Sequence, residues 1–296
     1  MNDAKPFVKW AGGKGQLLEQ LTRLLPRDLE KREFIYVEPF VGGGAMLFHM
    51  LSNYPTIKQA IINDLNADLV TCYKTIKERP DALIDMLGRF QEEYKACANE
   101  ESRKSLYLAK RSRYNSRKGK GVEVAALFMF LNRTCFNGLY RVNAKGEFNV
   151  PFGKAKNPLI CDAATIRADS ALLQKVEIRC GDFEACTVNL PTRAFFYFDP
   201  PYRPLTKTSA FTAYSKNGFD DNEQRRLAKF CHRLHENGYR WLLSNSDPHN
   251  IDPHDMFFED LYAPFDIQRV NANRMINSKA TGRGRISELA IRNYKE

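Results

Sequence analysis

The run Ala194–Phe198 constrains the fold of this chain more than any other stretch. Five apolar residues without alternation are typical of a strand that is covered on both faces, as in a parallel sheet with helices on either side. The residues that follow are Asp199, Pro200, Pro201 and Tyr202, so they fall at the carboxyl end of the strand, where open α/β sheets bind ligands. We therefore predict an α/β fold with a ligand site at this corner.

The residue types at this corner suit a planar group that carries an exocyclic amine. Two consecutive prolines stop the ladder of strand hydrogen bonds and leave carbonyl oxygens without a strand partner. Asp199 and the Pro200 carbonyl can then accept the two amine hydrogens, while the ring of Tyr202 stacks on the planar group. The sequence thus predicts Asp199, Pro200 and Tyr202 as catalytic residues.

The composition narrows the choice of partner. The chain has 296 residues, 43% hydrophobic content and a net charge of +10, with a pI near 9.2. This excess of Lys and Arg favours a polyanionic partner, with nucleic acid ahead of an anionic membrane surface. We find no apolar stretch near the ~20 residues of a membrane span and no signal peptide core. We expect a cytoplasmic protein that is monomeric in solution.

The seven cysteines form no Cys-x-x-Cys pair and have no histidine nearby at zinc spacing. We expect them to be reduced and mostly buried, without a disulfide framework or a metal. A nucleophilic role for Cys135 is the disfavoured alternative.

A strand candidate, a glycine turn and a helical run follow one another near the N-terminus. The strand candidate 33–40 ends at Phe40, and the turn contains Gly42 and Gly44. This order is typical of the opening unit of a dinucleotide or nucleoside fold. Leu47 replaces the third glycine of the dinucleotide fingerprint, which disfavours a nicotinamide dehydrogenase. We expect Phe40, Gly42 and Gly44 to bind a smaller nucleoside.

Acidic residues follow two further strand candidates. Asp64 ends the second candidate, at a spacing where an acid accepts hydrogen bonds from both ribose hydroxyls. Alternatively, Asp64 caps the helix that begins near Ala67. Asp182 and Phe183 follow the third candidate and are predicted to contact an adenine ring, although Asp182 also fits a plain loop.

The alternation of strand and helix stops in the middle of the chain. Helices are predicted there at 81–96, 102–118 and 122–131. We predict a largely helical inserted domain at 76–157, within an α/β domain formed by 1–75 and 158–296. The basic run Arg111–Lys120 is either a phosphate-tracking face or a solvated helix face. The insertion ends in a hairpin candidate whose polar and aromatic side chains suit contacts with DNA bases.

Three turns have compositions that suit ligands. The glycine-rich turn before the helical run 17–25 is a natural anion site, but the residues around Lys14 do not match a P-loop. The polar loop 203–219 is long enough to act as a lid. The basic turn 277–285 of a C-terminal hairpin is expected to be mobile without a ligand.

The chain resembles the Dam-type family of DNA adenine N6-methyltransferases over nearly its whole length. The motifs that carry the resemblance are Lys9–Lys14, Glu38–Gly44, Asn63–Asp64, Asn137–Leu139 with Arg141, Phe148–Gly153 and Asp199–Tyr202. The resemblance implies a Rossmann-like, seven-stranded S-adenosylmethionine domain with an inserted, mainly helical target-recognition domain that contains the hairpin. It also implies methylation of adenine N6 in double-stranded DNA, by base flipping and direct attack, with S-adenosylhomocysteine as product and without a metal.

The resemblance implies a role for each matched position. The positions that match the family's S-adenosylmethionine contacts are Trp10, Lys14, Asp64 and Asp199, with Asp182 and Phe183 expected beside the adenine of this ligand. Those that read the bases of GATC are Lys9, Leu139, Arg141 and Pro151, while Phe136 wedges into the base stack and Asn137 supports the hairpin. The family often has tyrosine in place of Phe136, so a hydroxyl contact is absent here.

Two other functions remain open from the sequence. The first is methyl transfer to an RNA amine or to an amide, because a similar diproline turn can bind other planar nitrogen groups. The basic helical insertion favours DNA as the substrate. A DNA-binding protein without catalysis would tolerate the loss of Asp199 or Asp64, and both residues are present.

Overall fold

A computed structural model describes residues 4–10, 14, 17–187, 190, 193–204, 219–273 and 285–295. The helices of this described chain are α1 (Leu18–Thr22), α2 (Ala45–Asn53), α3 (Ala67–Glu78), α4 (Pro80–Lys95), α5 (Glu100–Asn115), α6 (Val122–Thr134), α7 (Ala163–Leu173), α8 (Asp221–Glu236) and α9 (Phe257–Leu261). Its strands are β1 (Phe34–Glu38), β2 (Ile57–Asp64), β3 (Val176–Cys180), β4 (Ala194–Phe198), β5 (Arg240–Ser246), β6 (Asp266–Asn273) and β7 (Arg285–Arg292).

The chain divides into two compact units. The first contains Met1–Gly13, Val41–Asn53 and Asn63–Asp182, and the second contains Lys14–Phe40, Tyr54–Ile62 and Phe183–Glu296. This division reflects packing within each unit. The functional boundaries at 76–157 therefore stay a prediction.

The seven strands form one mixed sheet in the order β3-β2-β1-β4-β5-β7-β6. Strand β1 pairs in parallel with β2 and β4, and β4 pairs in parallel with β5. Strand β7 is antiparallel to both β5 and β6, as expected for a C-terminal hairpin. The predicted α/β fold with a seven-stranded sheet is confirmed.

Strand β4 is buried at every position, which explains its uniform apolar sequence. The rings of Phe196 and Phe198 stack at 5.9 Å and lie in a core cluster with Phe230 of α8 and Trp241 of β5. Because both faces of β4 are covered, alternation of polar and apolar residues is absent. This rigid strand positions the residues that follow it.

Helix α8 covers part of this core with an apolar face. Its N-cap, Asp220, accepts hydrogen bonds from the backbone N–H groups of Asn222 and Glu223, and the first turn is acidic. Both features stabilise a helix N-terminus. The helix thereby holds the buried side chain of Gln224 in its first turn at a fixed place.

The first unit is mainly helical. Helix α6 is buried along most of its length and packs against α3, α4 and α5. Helix α5 begins with a capping box formed by Asn99 and Ser102. The prediction of helices in the middle of the chain is confirmed, with bounds that differ by a few residues.

Two elements predicted from the sequence are less regular in the structure. The helix predicted at 17–25 is shorter in the structure. After Thr22 the backbone hydrogen bonds span three residues instead of four, from the Leu24 N–H to the Leu21 carbonyl and from the Leu25 N–H to the Thr22 carbonyl. The hairpin predicted at the end of the insertion is held by isolated antiparallel bridges, including one between Val142 and Phe148, and its residues form no continuous strand. A turn at Asn143 to Gly146 and a few backbone hydrogen bonds hold it instead.

Most of the predicted lid 203–219 and of the basic turn 277–285 lies outside the described residues. In the part that is described, no helix combines the length and the apolar character that crossing a membrane requires.

Candidate active site

The diproline corner begins directly after β4. Asp199 Oδ1 accepts a hydrogen bond from the Ser244 hydroxyl and lies 3.0 Å from Lys14 Nζ. No described residue donates a hydrogen bond to Asp199 Oδ2. The Pro201 carbonyl accepts a hydrogen bond from Gln224 Nε2 over 3.0 Å, whereas no described residue donates to the Pro200 carbonyl. The corner thus offers two adjacent acceptors, Asp199 Oδ2 and the Pro200 carbonyl.

Lys14 is buried against this corner, with 4% of its side chain exposed. Its ammonium lies 3.0 Å from Asp199 Oδ1 and 4.0 Å from the centroid of the Tyr202 ring, and it donates to the Tyr202 hydroxyl. A buried ammonium requires both a counter-charge and acceptors for its hydrogens. Asp199 and Tyr202 provide them, so the structure brings together three of the predicted site residues.

Glu288 completes this cluster, although its sequence context did not single it out. Glu288 Oε2 accepts a hydrogen bond from the Tyr202 hydroxyl and lies 3.4 Å from Lys14 Nζ. The residue sits on β7, where it pairs with Ser246 of β5. The only signal in the sequence was an acid within a strand candidate, because the pairing of β7 with β5 is a tertiary feature.

Burial perturbs the ionisation of the cluster. It raises the pKa of Asp199, while the Lys14 ammonium and the Ser244 hydroxyl act in the opposite direction. Burial also raises the pKa of Tyr202 well above its ordinary value, and the charges of Asp199 and Glu288 add to this effect. The phenol is therefore a neutral hydrogen-bond donor.

A further buried carboxyl group lies on β1. Glu38 accepts a hydrogen bond from the Tyr36 hydroxyl over 2.7 Å. Burial raises the pKa of Glu38 well above its ordinary range, and the charge of Asp199 raises it further. We expect Glu38 to be neutral, so it adds no charge to the site.

The Trp10 ring packs closely against the glycine turn of the first unit. A Cβ atom at Gly42 would lie 2.9 Å from the Trp10 ring, and one at Gly44 would lie 2.5 Å from the Tyr73 hydroxyl. Both glycines have positive φ, at +48° and +76°. The Trp10 ring also stacks on Tyr140 at 5.8 Å. Glycine is thus required for Trp10 to approach the turn.

Asp64 fixes the same turn. Its Oδ2 accepts a hydrogen bond from the Gly42 N–H over 3.0 Å, and its Oδ1 accepts one from the Asn66 N–H over 2.8 Å. The cap of α3 is Asn66, whose side chain accepts from the N–H groups of Asp68 and Leu69. The alternative in which Asp64 caps this helix is therefore wrong. A carboxylate can accept about four hydrogen bonds, and the backbone of Leu65 supplies a third donor, so Asp64 keeps some acceptor capacity for a ligand.

The two residues predicted to contact adenine lie in different surroundings. Gly181, just before Asp182, donates its N–H to the Asp64 carbonyl over 3.2 Å. Phe183 is buried in the core of the second unit and packs on the half-buried Phe40 ring at 5.3 Å. Of these two rings, Phe40 is the more accessible.

Asn132 connects Lys9 to the loop that follows α6. Its Oδ1 accepts from the Lys9 N–H, and its Nδ2 donates to the Lys9 carbonyl, both over 2.8 Å. Nδ2 also donates to the Gly138 carbonyl over 2.9 Å. A Cβ atom at Gly138 would lie 2.5 Å from Lys9 Cδ. The structure thus brings together two predicted DNA-reading segments through a residue to which the sequence had assigned no role.

The loop after α6 exposes two large apolar side chains, Phe136 and Leu139, at 50% and 36%. Its backbone is fixed by a hydrogen bond from the Phe136 N–H to the Pro151 carbonyl over 2.9 Å. Asn137 adopts a positive φ of +54°, which makes the loop turn sharply. Exposed apolar side chains on a fixed loop are typical of a binding surface.

Arg141 lies on the hairpin and remains exposed. Its Nε donates to Asn149 Oδ1 over 2.8 Å, and its Nη2 donates to the Asn149 carbonyl over 3.3 Å. The hairpin therefore orients the guanidinium while leaving it accessible.

The arginines of the basic run have acceptors within the fold. Arg113 forms two hydrogen bonds with Glu123, and Arg117 contacts Asp68 and the Gly146 carbonyl. Arg111 donates to the Val150 carbonyl over 3.3 Å. These contacts favour a structural role over a phosphate-tracking face for the three arginines.

The cysteines contribute no nucleophile to this site. Burial raises the pKa of Cys135 to about 11, which leaves its thiol protonated at neutral pH. Cys72, Cys186 and Cys231 are also buried. Across the described residues, no three side chains of His, Cys, Asp or Glu come together as metal ligands would.

Residues 10–276 match the family model described as D12 class N6 adenine-specific DNA methyltransferase. The chain belongs to this family of enzymes, which methylate adenine in DNA. Membership also favours DNA over the RNA and amide alternatives.

Curated relatives support the same conclusion. The chain is 48% identical to the Type II methyltransferase M.MjaIII of Methanocaldococcus jannaschii, over 99% of this chain and 100% of that protein. It is 37% identical to the DNA N-6-adenine-methyltransferase of Escherichia phage P1, over 95% of this chain and 34% of that protein. It is 33% identical to the DNA adenine methylase of Escherichia coli strain K12, over 98% of this chain and 95% of that protein.

Proposed function

We propose that this protein transfers a methyl group from S-adenosylmethionine to N6 of adenine within GATC in double-stranded DNA, after the adenine is flipped out of the helix. The observation that carries the proposal is the pair of acceptors at the end of β4. Asp199 Oδ2 and the Pro200 carbonyl have no donor among the described residues, and they suit the two hydrogens of an exocyclic amine.

The residues present suit the proposed methyl donor. Asp64 retains acceptor capacity for ribose hydroxyls, and the same carboxylate fixes the glycine turn against which Trp10 packs. Trp10 and Phe40 are half-buried rings that offer aromatic surface for a base. When bound, S-adenosylmethionine supplies an activated methyl group. The assignment of Lys14, Asp182 and Phe183 to this ligand rests on the family resemblance.

The residues of the corner would position the amine. Asp199 and the Pro200 carbonyl accept its two hydrogens and thereby orient the nitrogen lone pair. Tyr202, held by Lys14 and Glu288, presents its ring to the adenine. Ser244 and Lys14 occupy Oδ1 and leave Oδ2 for the amine. Alignment of this kind lowers the activation free energy by at most roughly 7–11 kcal/mol.

Base flipping follows from the position of N6 in the duplex. N6 lies in a base pair, so a buried acceptor pair reaches it only when the nucleotide leaves the stack. Phe136 and Leu139 are the exposed apolar side chains that would fill the space or contact neighbouring bases. Lys9, Arg141 and Pro151 lie on the segments proposed to read the sequence, and Asn137 shapes the loop that carries Phe136.

Replacement of Asp199 by Ala tests the chemistry. We expect D199A to lose transfer of labelled methyl to duplex DNA while keeping DNA affinity, because the carboxylate serves the amine rather than the backbone. D260A, at an exposed aspartate on α9, is the matched control. Unchanged turnover in D199A would reject the assignment.

The target is tested separately. Plasmid from cells that express the protein should resist nucleases that are blocked by adenine methylation in GATC, and long-read modification calling should place the modified base there. Methylation in another sequence would contradict the proposed target and leave the proposed chemistry intact.

A further inference from the structure

The charges around Lys14 do not balance. Asp199 and Glu288 are both acids in contact with the single ammonium of Lys14, at 3.0 Å and 3.4 Å. Tyr202 is a neutral donor to Glu288. Among the described residues, the cluster therefore has one negative charge more than it has positive charges when both acids are ionised.

The excess charge is largely shielded from water. The side chains of Lys14, Asp199 and Glu288 are 4%, 23% and 18% exposed. Uncompensated charge at such a place is costly, because solvent screening is weak there. A cationic ligand that arrives at this place would lower the cost.

The proposed methyl donor and its product differ in charge at one atom. Both carry the same adenosine and the same amino acid group, but the donor has a positive sulfonium and the product has a neutral thioether. During transfer the methyl must lie against the amine that Asp199 holds, so the sulfonium must lie close to this cluster. The excess negative charge therefore acts on the one feature that distinguishes donor from product.

Resting on the proposed function, we infer that Glu288 is a specificity-determining residue, whose charge makes the site bind S-adenosylmethionine more tightly than S-adenosylhomocysteine. Lys14 neutralises Asp199, and Glu288 supplies the charge that remains for the sulfonium. Glu288 also holds the Tyr202 hydroxyl, so loss of the side chain and loss of its charge have to be separated.

Calorimetric binding of both compounds to the purified full chain tests this inference. E288Q keeps the size of the side chain and removes one charge, so its affinity for S-adenosylmethionine should fall about tenfold. Its affinity for S-adenosylhomocysteine should change much less. E236Q, at the exposed end of α8, removes the same charge elsewhere and should leave both affinities unchanged.

A second variant separates charge from shape. E288D keeps the charge but shortens the side chain, so it should retain most of the preference for the sulfonium compound even if Tyr202 is held less well. If E288D loses the preference as fully as E288Q does, the effect comes from shape and the inference is overturned.

The outcomes distinguish this inference from the proposed function. If the wild-type chain binds neither compound, the proposed function fails. If it binds both equally well, or if E288Q keeps the wild-type ratio of affinities, the proposed function stands and the role of Glu288 is overturned.

Discussion

Ser244 donates its hydroxyl to Asp199 Oδ1 over 3.0 Å, from the strand next to the one that Asp199 follows. The same hydroxyl lies 3.0 Å from the Tyr197 hydroxyl. A neighbouring strand thus orients the carboxylate and helps to keep it ionised, against the effect of burial.

The first prediction concerns this hydrogen bond. In S244A, the pKa of Asp199 should rise, because one of the contacts that stabilise the charged form is lost. The carboxylate must be ionised to accept from the amine, so the acid limb of the pH profile of kcat should move to higher pH. Steady-state kinetics across the acidic range measures this. S246A, on the same strand, should leave the limb in place.

A second prediction concerns the support of the diproline corner. Gln224 donates to the Pro201 carbonyl and accepts from Asn245 Nδ2, each over 3.0 Å, and both side chains are fully buried. Q224A leaves a buried amide and a carbonyl unpaired, so unfolding free energy should fall by about 1–3 kcal/mol. Denaturant titration measures the loss. N222A, at an exposed position of the same helix, should cost much less.

The third prediction separates the binding role of Asp64 from helix capping. N66A removes the cap of α3 and should cost about 1 kcal/mol of stability. D64A should instead weaken binding of S-adenosylmethionine more than N66A does, because it removes the acceptor proposed for the ribose. Thermal melting and calorimetry on both variants compare the effects. Equal losses of ligand affinity would contradict the separation.

The fourth prediction concerns base recognition. R141A should methylate a wider set of sequences, because one bidentate contact with a guanine is worth about 1–3 kcal/mol of discrimination. Modification calling on a plasmid measures the set of methylated sequences. K145A, an exposed lysine on the turn of the same hairpin, should keep the wild-type target.

The fifth prediction concerns the pH dependence of stability. Asp169 is fully buried; its Oδ1 accepts from the Lys5 N–H over 3.0 Å, and its Oδ2 has no described partner. Burial raises its pKa from 3.8 to about 8. The folded state holds this proton more tightly than the unfolded state, so stability should fall as pH rises from about 4 to about 8.

Thermal melting of D169N against wild type checks this dependence. Asn cannot ionise, so the melting temperature of D169N should fall less than that of wild type between pH 6 and pH 9. Parallel curves for the two proteins would show that Asp169 does not titrate in this range.

The sequence by itself determined the sheet-forming strands and the corner that follows β4. The run Ala194–Phe198 predicted a strand buried on both faces, because its apolar side chains do not alternate with polar ones, and Pro200 and Pro201 had to end its ladder. These are local properties, and local properties are visible in the order of residues.

The tertiary structure alone decided which side chains meet at that corner. Lys14 and Glu288 are 274 residues apart, yet both contact Tyr202, because β7 inserts beside β5 in antiparallel pairing. Sequence spacing does not encode these partners, because strand order and the desolvation of charges arise only when distant segments pack together.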